Sequence, residues 1–555
     1  MERRSLLSRL AVLPFVGGAA ASAAADAANQ PGNARPASGS GGGIPYYPQT
    51  PAEAERGVIP ARHNFPEMNV MRYGATGSGA DDDSRAFQNA FDVAKVNGGT
   101  VYIPQPRVHY LIRSPLDLTP TERYAAGFNV RMESNLHFSA NSPHGAIVLA
   151  HRGVGFDCTG NNALQFADLC IASGAGTVPQ VAFLCARDAS GASVVHRFNN
   201  CRVFGYFSVA VYYNYGCEDD QLVGCYFFNY HTGANAKTVV ITARNVFALA
   251  SPYAAIYGRS ISTAHHHFCG GNYGHAGGSS TADVFYLDGC TFLHLERLWV
   301  ACERGRAIVY CDSTHGPSNS CTIFGMEVEN GSAPEQGIAM PSPPTGWPDF
   351  VDWVIEASYF SDVSDAILKA GTTVALIAFK LRGLSSLRHR GIAIDGTAAY
   401  CTFDCDTTPI AIGTARQCIL MGSVQNFDLA TNAQCCFIDA RPSRSWTPDT
   451  SGMKVQSSGT VRVSSVNSNV MGNQVEVTFT MQATTGMYCN AGTLIAGLPF
   501  KPQTGGGIVA VTDGASDTAI GLGSVGAGGI FLPAIASSIA PTPHAICVTA
   551  RYFIA

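Results

Sequence analysis

A short phrase recurs through the middle of the chain: a turn-forming or small residue, then Cys or Ser, then a hydrophobic and often aromatic stretch. It occurs at residues 200–204, 224–228, 289–292, 320–324 and 357–360. The Cys or Ser positions are separated by 24, 65, 31 and 37 residues. These separations fit a solenoid with one coil per roughly 20–50 residues, the longest spanning two or three coils. Short β-branched strands and Gly or Asn turns lie between the phrases. The pattern predicts an all-β fold, a parallel β-helix with strands about 4.8 Å apart.

An ordered entry to this solenoid begins near residue 69. Residues 73–84 read Tyr-Gly-Ala-Thr-Gly-Ser-Gly-Ala-Asp-Asp-Asp-Ser, and apolar residues then follow at helical spacing. Asp83 or Ser84 is placed to cap that helix, and Asn-Gly-Gly at 97–99 ends it. Thr-Val-Tyr-Ile-Pro at 100–104 predicts a short strand.

This entry resembles that of the pectate-lyase-like right-handed parallel β-helix, in the branch shared by bacterial polysaccharide-degrading enzymes and phage tailspikes. The resemblance is specific over residues 69–113 and continues through the repeats to about 430. It implies that the helix caps the first coil and that the aspartates of the entry motif are structural. It also implies an extracellular or cell-surface polysaccharide as partner, a homotrimer, and Ca²⁺ as the cofactor of the lyase alternative.

The N-terminus is typical of an export signal. Arg3 and Arg4 precede Ser-Leu-Leu and an apolar run, and small residues complete a segment assigned to residues 1–27. The paired arginines resemble a twin-arginine signal. Residues 28–65, rich in Ala, Pro, Gly and Ser, are predicted to be a flexible linker. We therefore expect a secreted or periplasmic protein, virion-associated if it derives from a phage.

Two structural domains are predicted after the linker. Residues 66–440 form the β-helix, and residues 451–555 form a small β-sandwich with alternating strands and Gly-rich turns. Only seven charged residues lie in the last 105, which favours sugar binding or burial in an oligomer interface. Residues 497–500 resemble the C-terminal domains of phage tail fibres and spikes.

Composition bears on the expected partners, on membrane spans and on disulfides. Charged residues make up 14% of the 555 and the net charge is −5, without a basic stripe, so nucleic acid is not an expected partner. After the leader no run approaches the roughly 18 apolar residues of a membrane span. Most of the 18 cysteines lie inside apolar, strand-like runs, which predicts buried thiols rather than a disulfide scaffold.

A β-helix offers long grooves that suit an extended polymer. Glycan hydrolysis requires a pair of carboxylates, whereas elimination from a uronate requires a base and a cation or acid that neutralises the carboxylate. Clusters of acidic and aromatic residues on the coils are therefore the candidate sites.

The first cluster is Asp219 and Asp220, followed by His231. Adjacent aspartates before a His-x-Gly sequence resemble the polygalacturonase-type hydrolases. The Asn-Thr-Asp and Arg-Ile-Lys elements of that family are missing, and eleven residues between Asp220 and His231 are too few for a full coil. The alternative is a solvated turn between strands.

The second cluster contains Glu296, Arg297, Trp299, Glu303 and Glu327. A 28-residue register places Trp299 beside Glu327 on one face, whereas a 31-residue register stacks Glu296 on Glu327. An exposed indole beside carboxylates suits the apolar face and glycosidic oxygen of a sugar. The alternative is a ladder of Arg–Glu pairs on a solvated sheet.

Weaker candidates lack a supporting motif. They are the triple His at 265–267 as metal ligands or a polar loop, 388–390 as an anion contact, Arg244 and Arg259 as elimination bases, and Trp347 and Trp353 as stacking platforms.

These observations predict an exported enzyme, a glycoside hydrolase or polysaccharide lyase, that acts on a polymeric glycan such as a uronate-containing one. The first alternative is a tailspike-like adhesin that binds a glycan without cutting it. The second is a purely structural solenoid.

Overall fold

The computed structural model describes most of the chain from residue 45 onward. It leaves out 1–44, 122–126, 134–144, 175, 188–192, 215–216, 232–235, 243–262, 276–281, 317, 330–333, 344, 386–390, 405–409, 424–426, 430–436, 442–450, 452–453, 456–460, 472–473, 484–486, 489–491, 496–497, 499–501, 514–518, 527–528, 535–543 and 555. The predicted export signal therefore lies outside the described residues. No helix in the described part is long and apolar enough to cross a membrane.

The described chain winds through three long parallel sheets, which we call sheets A, B and C, and a short sheet D. Sheet A contains Thr100–Ile103, Asn129–Met132, Gln165–Ala167, Arg197–Asn199, Gln221–Val223, His267–Cys269, His294–Glu296, Thr322–Phe324, Val354–Glu356, Lys380–Arg382, Thr402–Asp404, Ile419–Ser423 and Phe437–Arg441. Sheet B contains Tyr110–Ile112, Ile147–Leu149, Cys170–Ser173, Arg202–Gly205, Tyr226–Asn229, Asn272–His275, Trp299–Cys302, Glu327–Val328 and Tyr359–Phe360.

Sheet C closes each coil. It contains Leu116–Asp117, Val154–Asp157, Val181–Cys185, Val209–Tyr213, Lys237–Thr242, Asp283–Asp288, Gly305–Cys311, Pro334–Met340, Asp349–Val351, Ala366–Ala370, Ala375–Ile377, Gly391–Ala399, Ile410–Arg416 and Phe427–Leu429. Sheet D contains Ser193–Val194, Cys217–Glu218, Thr263–Ala264 and Cys290–Thr291. Since strands pair in parallel with the strands of the next coil, the predicted right-handed parallel β-helix is confirmed, with the hand usual for parallel crossovers.

Single residues with positive φ turn the chain on both sides of sheet A. One column lies two residues before its strands: Ala163, Val195, Asp219, His265, Phe292, Ser320, Asp352, Ala378, Tyr400 and Gln417. The other lies one residue after them: Asp168, Asn200, Gly224, Gly270, Arg297, Gly325, Ala357 and Gly383. The first residue of each recurring phrase has positive φ and the second is buried. The phrase therefore marks a corner of a coil.

The interior is built from like side chains stacked between coils. The middle residue of each short sheet A strand points inward, so that the rings of Phe166 and Phe198, which pair directly, stack at 4.9 Å. Of the fourteen described cysteines twelve are buried and none is bonded to another. The prediction of core thiols is confirmed for this part of the chain.

A helical cap closes the first coil, as expected. It comprises the helix Pro51–Glu55, the 3-10 turn Val70–Tyr73 and the helix Ser84–Asn97. The last helix buries Phe87 and Phe91, which contact Tyr110 and Phe128 of the first coils.

The aspartates of the entry motif hold the cap together. Asp83 accepts hydrogen bonds from the N–H groups of Thr76 at 2.7 Å and Leu111 at 3.2 Å. Asp82 accepts one from the N–H of Ser84 at 3.0 Å. Residues 45–65, which composition assigned to the flexible linker, belong to this cap: Arg72 is buried and donates to the carbonyl of Pro48 at 2.8 Å. The buried ion pair between Arg72 and Glu53 stabilises this segment, which has few large apolar residues.

Pairing changes from parallel to antiparallel between Arg441 and Lys454. A seven-stranded sheet follows, in the spatial order Val461–Met471, Gln474–Ala483, His544–Ile554, Pro502–Asp513, Ala519–Gly526, Gly529–Leu532 and Thr493–Ile495. Lys454–Val455 pairs separately with Met487–Tyr488. Alternate residues of Gln474–Ala483 are buried, as in a β-sandwich-like layer.

Candidate functional site

Trp299 and Glu327 lie opposite each other on neighbouring strands of sheet B. Val300 pairs with Val328 in the same register, and both of these point into the core. Leu295 pairs with Ile323 on sheet A, so the 28-residue register holds through the coil. Cys321 lies between the corner residue Ser320 and the sheet A strand Thr322–Phe324, whereas Cys290 lies in sheet D, which removes the 31-residue register.

A column of polar and aromatic side chains extends this pair along the outside of the coil. The register joins Arg202 to Tyr226, Asn272, Trp299, Glu327 and Tyr359 on consecutive strands. All six are partly or fully exposed. Neighbouring strands are about 4.8 Å apart, so the column spans six successive rungs of sheet B. It forms a continuous strip of contact groups.

Aromatic rings flank this column. The Phe228 ring stacks on Tyr226 at 6.3 Å and contacts Tyr230 at 4.8 Å, and Tyr230 contacts Tyr206 at 6.2 Å. Gly274 makes room for this cluster, because a Cβ there would come within 2.2 Å of the Phe228 ring. We call this cluster and the column the aromatic face.

Two hydroxyls of the aromatic face, those of Tyr226 and Tyr230, stay protonated. Burial, and then the neighbouring Tyr230, raises the pKa of Tyr226 above its usual value. Burial, followed by Tyr206 and Glu303, raises the pKa of Tyr230 in the same way. Both hydroxyls are therefore hydrogen-bond donors as well as acceptors over the physiological pH range. Glu303 itself is exposed and directly follows the sheet B strand Trp299–Cys302.

Glu327 and Glu329 present two carboxylates at one end of the aromatic face. The N–H of Glu327 donates to the Leu298 carbonyl at 2.9 Å, and that of Glu329 donates to the Val300 carbonyl at 2.8 Å. Both glutamates are exposed. Residues i and i+2 of a strand point to the same side with Cα atoms about 6.6 Å apart. The sequence analysis did not select Glu329 as a site residue.

Glu296 and Arg297 lie apart from this pair. Glu296 ends a sheet A strand and pairs with Phe324 rather than with Glu327. Arg297 is the corner residue between sheets A and B, with φ of 53°, and its Nε lies 3.7 Å from Oε1 of Glu296. The one-residue corner therefore puts Glu296 on sheet A and Trp299 on sheet B.

The structure does not bring the Asp219–Asp220 pair and His231 together as one surface site. Asp219 is an exposed corner residue with φ of 61°. The corner turns Asp220 inward, where it is fully buried and accepts the His196 N–H at 2.7 Å. His231 is half-buried beside Tyr230, at the end of a sheet B strand. Because Asp220 points into the core, its carboxyl does not face a groove in which a polymer would lie.

The outer side of sheet C carries a charge network that sequence analysis did not find. Asp283 is fully buried and lies 2.8 Å from Nζ of Lys237 and 2.7 Å from a guanidinium nitrogen of Arg306. The Arg306 guanidinium lies 3.1 Å from the centre of the Tyr310 ring. Burial lowers the pKa of Lys237, and Asp283 opposes that shift. Every charge in this network has a partner, which indicates a structural role.

The weaker candidates take separate positions. Trp353 is fully buried, donates its indole N–H to the Ser318 carbonyl at 2.7 Å and stacks on Phe379, so it is a core residue. Trp347 is 40% exposed. His265, His266 and His267 point in different directions, and only His267 belongs to the outer side of sheet A. Arg244, Arg259 and residues 388–390 lie outside the described residues.

Similar solved structures include phage tailspikes. A double mutant of the tailspike of E. coli bacteriophage HK620 aligns with a TM-score of 0.43 and 10% identity over 86% of this chain and 91% of that one. The tailspike of Pseudomonas phage LKA1 aligns at 0.38 and 10%, over 88% and 100%. That of Acinetobacter baumannii bacteriophage Fri1, a capsular polysaccharide depolymerase, aligns at 0.34 and 10%, over 88% and 86%. No protein-family model and no curated protein matches the sequence.

Proposed function

We propose that the aromatic face binds an extended polysaccharide and that Glu327 and Glu329 hydrolyse it. The observation that carries the proposal is the pairing of Trp299 with Glu327 on adjacent rungs. An indole offers an apolar plane to a sugar ring, and the neighbouring carboxylate is within reach of the glycosidic oxygen of that sugar. The likeness to tailspikes concerns the fold, so the proposal rests on the face itself.

Binding is supported by the composition of the aromatic face. The Phe228 ring contacts the rings of Tyr226 and Tyr230. Asn272 supplies an amide on the rung between Tyr226 and Trp299. Rings accept the apolar faces of sugars, and the amide and hydroxyls pair with sugar hydroxyls. Because these groups sit on strands, their positions are set before a polymer arrives. A preorganised strip loses little conformational entropy on binding.

Hydrolysis is supported by the two exposed glutamates. One carboxylic acid protonates the leaving oxygen, and one carboxylate acts as base or nucleophile. Glu327 lies beside Trp299 and is the group we assign to the glycosidic oxygen, with Glu329 as its partner. A β-elimination would instead need a basic side chain beside the uronate.

The test uses the purified full-length protein with polygalacturonate and with acidic bacterial capsular polysaccharides. New reducing ends are measured for the wild type and for Trp299→Ala, Glu327→Gln and Glu329→Gln. Trp347→Ala is the matched control for an exposed tryptophan, and Glu335→Gln is the control for an exposed glutamate on sheet C. We expect Glu327→Gln to lower turnover about 10²-fold or more, the scale of a general acid or base.

The outcomes separate the alternatives. Loss of cleavage in both glutamate variants with binding retained supports hydrolysis on this face. Ultraviolet absorbance of an unsaturated uronide, dependent on Ca²⁺, identifies a lyase instead. Polymer binding that is weakened by Trp299→Ala, without any new reducing ends in the wild type, identifies an adhesin. Cleavage unchanged in all three variants removes the aromatic face as the site.

Location and assembly complete the proposal. A polymeric glycan is met outside the cell, so we propose an exported or virion-associated protein. We also propose a homotrimer, as the tailspike resemblance of the sequence implies. Light scattering of the purified protein measures its mass, and a mass of one chain would contradict the trimer.

A further inference from the structure

Two neighbouring strands of sheet A place four metal-binding side chains on the outer side of the coil. His267 pairs with His294, and Cys269 pairs with Glu296. Between them Phe268 and Leu295 point into the core and are buried. The four side chains therefore occupy the corners of one patch, two on each strand, at positions i and i+2.

The ligand atoms in this patch are already close together. One ligand atom each from His267, Cys269 and Glu296 lies within 4.8 Å of the other two. Nε2 of His267 is 3.4 Å from Oε2 of Glu296. The His294 ring centre is 5.9 Å from that of His267. Donor atoms around a tetrahedral zinc ion are about 3.3–3.8 Å apart, so small side-chain rotations bring His267, Cys269 and Glu296 together, and His294 turns further to join them.

We propose that this patch binds one divalent transition-metal ion, with Zn²⁺ as the favoured ion. His267, Cys269 and Glu296 are its ligands, and His294 is the fourth. A thiolate and imidazoles select zinc and its neighbours, whereas Ca²⁺ and Mg²⁺ take oxygen ligands. The site lies on sheet A and is independent of the polysaccharide face on sheet B.

The partial exposure of Cys269 supports a metal site rather than a chance cluster of side chains. Of the fourteen described cysteines, Cys269 and Cys547 are the two that are not buried. A thiol that packs as a small hydrophobe would occupy the interior, as the other twelve do. Cys269 instead shares the outer side of sheet A with two imidazoles and a carboxylate. Burial therefore does not account for a cysteine at this position.

Glu296 is oriented for a single coordinating oxygen. Its Oε1 lies 3.7 Å from Nε of the corner residue Arg297, whereas Oε2 lies toward His267. At this distance the two side chains attract each other without a hydrogen bond, and Oε2 stays on the side of His267. Since all four ligands sit on strands of a continuous sheet, their backbone positions are rigid.

The experiment measures metal binding directly. Full-length protein is stripped with a chelator under reducing conditions and titrated with Co²⁺ and then Zn²⁺, each as a simple salt. We expect one equivalent of cobalt, with a thiolate-to-cobalt charge-transfer band, which zinc displaces. We also expect zinc to raise the melting temperature of the stripped protein, because it binds the folded state.

Variants decide which residues bind the ion. Cys269→Ser should abolish the charge-transfer band, and His267→Gln and Glu296→Gln should weaken zinc binding at least tenfold. His294→Gln should also weaken it, and undiminished binding there would overturn its place as fourth ligand. Cys547→Ser and His231→Gln are the matched controls and should bind as the wild type does. The ligand side chains are partly or fully exposed, so these variants are expected to fold.

The proposal is overturned by three results. They are the absence of a stoichiometric cobalt signal, a charge-transfer band that survives Cys269→Ser, and a band that Cys547→Ser removes. Each is read on protein whose circular dichroism matches that of the wild type.

Discussion

Oδ2 of Asp220 lies 3.7 Å from Nδ1 of His266, and both side chains are fully buried inside the coil. Burial raises the pKa of Asp220 well above its usual value, and the His196 N–H bond opposes that shift. Burial also lowers the pKa of His266 to about 3. Burial therefore favours the uncharged form of both side chains. It disfavours an ion pair between them.

Asp220→Asn should stabilise the protein at neutral pH. The raised pKa of Asp220 means that the stability of the wild type is full below the unfolded-state pKa, about 4, and is lost as pH rises toward the folded-state pKa. Asn keeps the acceptor for His196 and cannot ionise. We expect the free energy of unfolding, measured in urea, to exceed that of the wild type by more than about 1 kcal/mol at neutral pH, and the two values to converge near pH 4.

Asp219→Asn is the matched control for that variant. Asp219 is exposed at a corner whose positive φ Asn adopts readily, and its charge is the smallest of the three contributions to the pKa of Asp220, so its substitution should change the pH dependence of stability much less than Asp220→Asn does. An Asp220→Asn protein that is destabilised at every pH would show that the carboxyl is charged and paired in the fold.

The buried ion pair of the N-terminal cap gives a second prediction. Burial alone would raise the pKa of Glu53, but hydrogen bonds from Arg72, the Thr50 N–H and Tyr73 lower it overall. Stability from this group is thus present above the unfolded-state pKa and lost as pH falls through the folded-state pKa. Glu53→Gln leaves the fully buried Arg72 without its counter-charge, which costs about 3 kcal/mol or more.

Thermal melting and limited proteolysis of the cap measure this effect. Glu55→Gln is the control, because Glu55 is exposed on the same short helix. Equal melting temperatures for the Glu53 and Glu55 variants would contradict a stabilising role for the pair.

The repeats predicted the fold, but they did not fix how the coils align. Each occurrence of the recurring phrase begins at a corner residue with positive φ, but the corner is not always the same one. Cys290 and Cys321 therefore look alike in sequence yet follow different corners. Coil length also varies. Strands paired in sheet A begin 46 residues apart at Gln221 and His267 and 17 residues apart at Thr402 and Ile419. Pairings across coils of such unequal length do not follow from periodicity.

The sequence also did not predict which of two neighbouring side chains points inward. Within Tyr226–Asn229, Phe227 points inward and Phe228 outward, although both are equally apolar. One corner residue sends Asp220 into the core and leaves its neighbour Asp219 in solvent. The Trp299–Glu327 pair followed from one of the two registers that the sequence left open, and the strand pairing selects it. The tyrosine cluster had no such guide.

Val195 is a corner residue whose replacement should stabilise the coil. It is a β-branched residue with φ of 61° and is 38% exposed. Val195→Asn keeps the N–H that donates to the Glu218 carbonyl at 3.0 Å and adopts this conformation more easily. We expect a gain of about 1 kcal/mol, measured by urea unfolding. Val223→Asn, at an exposed position in an extended strand, should lower stability instead. The same loss in both variants would mean that the corner is unstrained.

Gly274 tests whether the Phe228 ring is held across the neighbouring rung. In Gly274→Ala the new Cβ would meet that ring at 2.2 Å, so the ring must swing outward. We expect a loss of about 1–3 kcal/mol in unfolding free energy, and weaker binding of any polymer that uses this ring. Phe228→Leu removes the obstructing ring, so Gly274→Ala should cost less in that background, with a coupling energy of about 1 kcal/mol. A double-mutant cycle of unfolding free energies measures this coupling. Strict additivity would show that the ring does not lie over Gly274, and the aromatic face would then lose the contact that joins its ring cluster to the Asn272 rung.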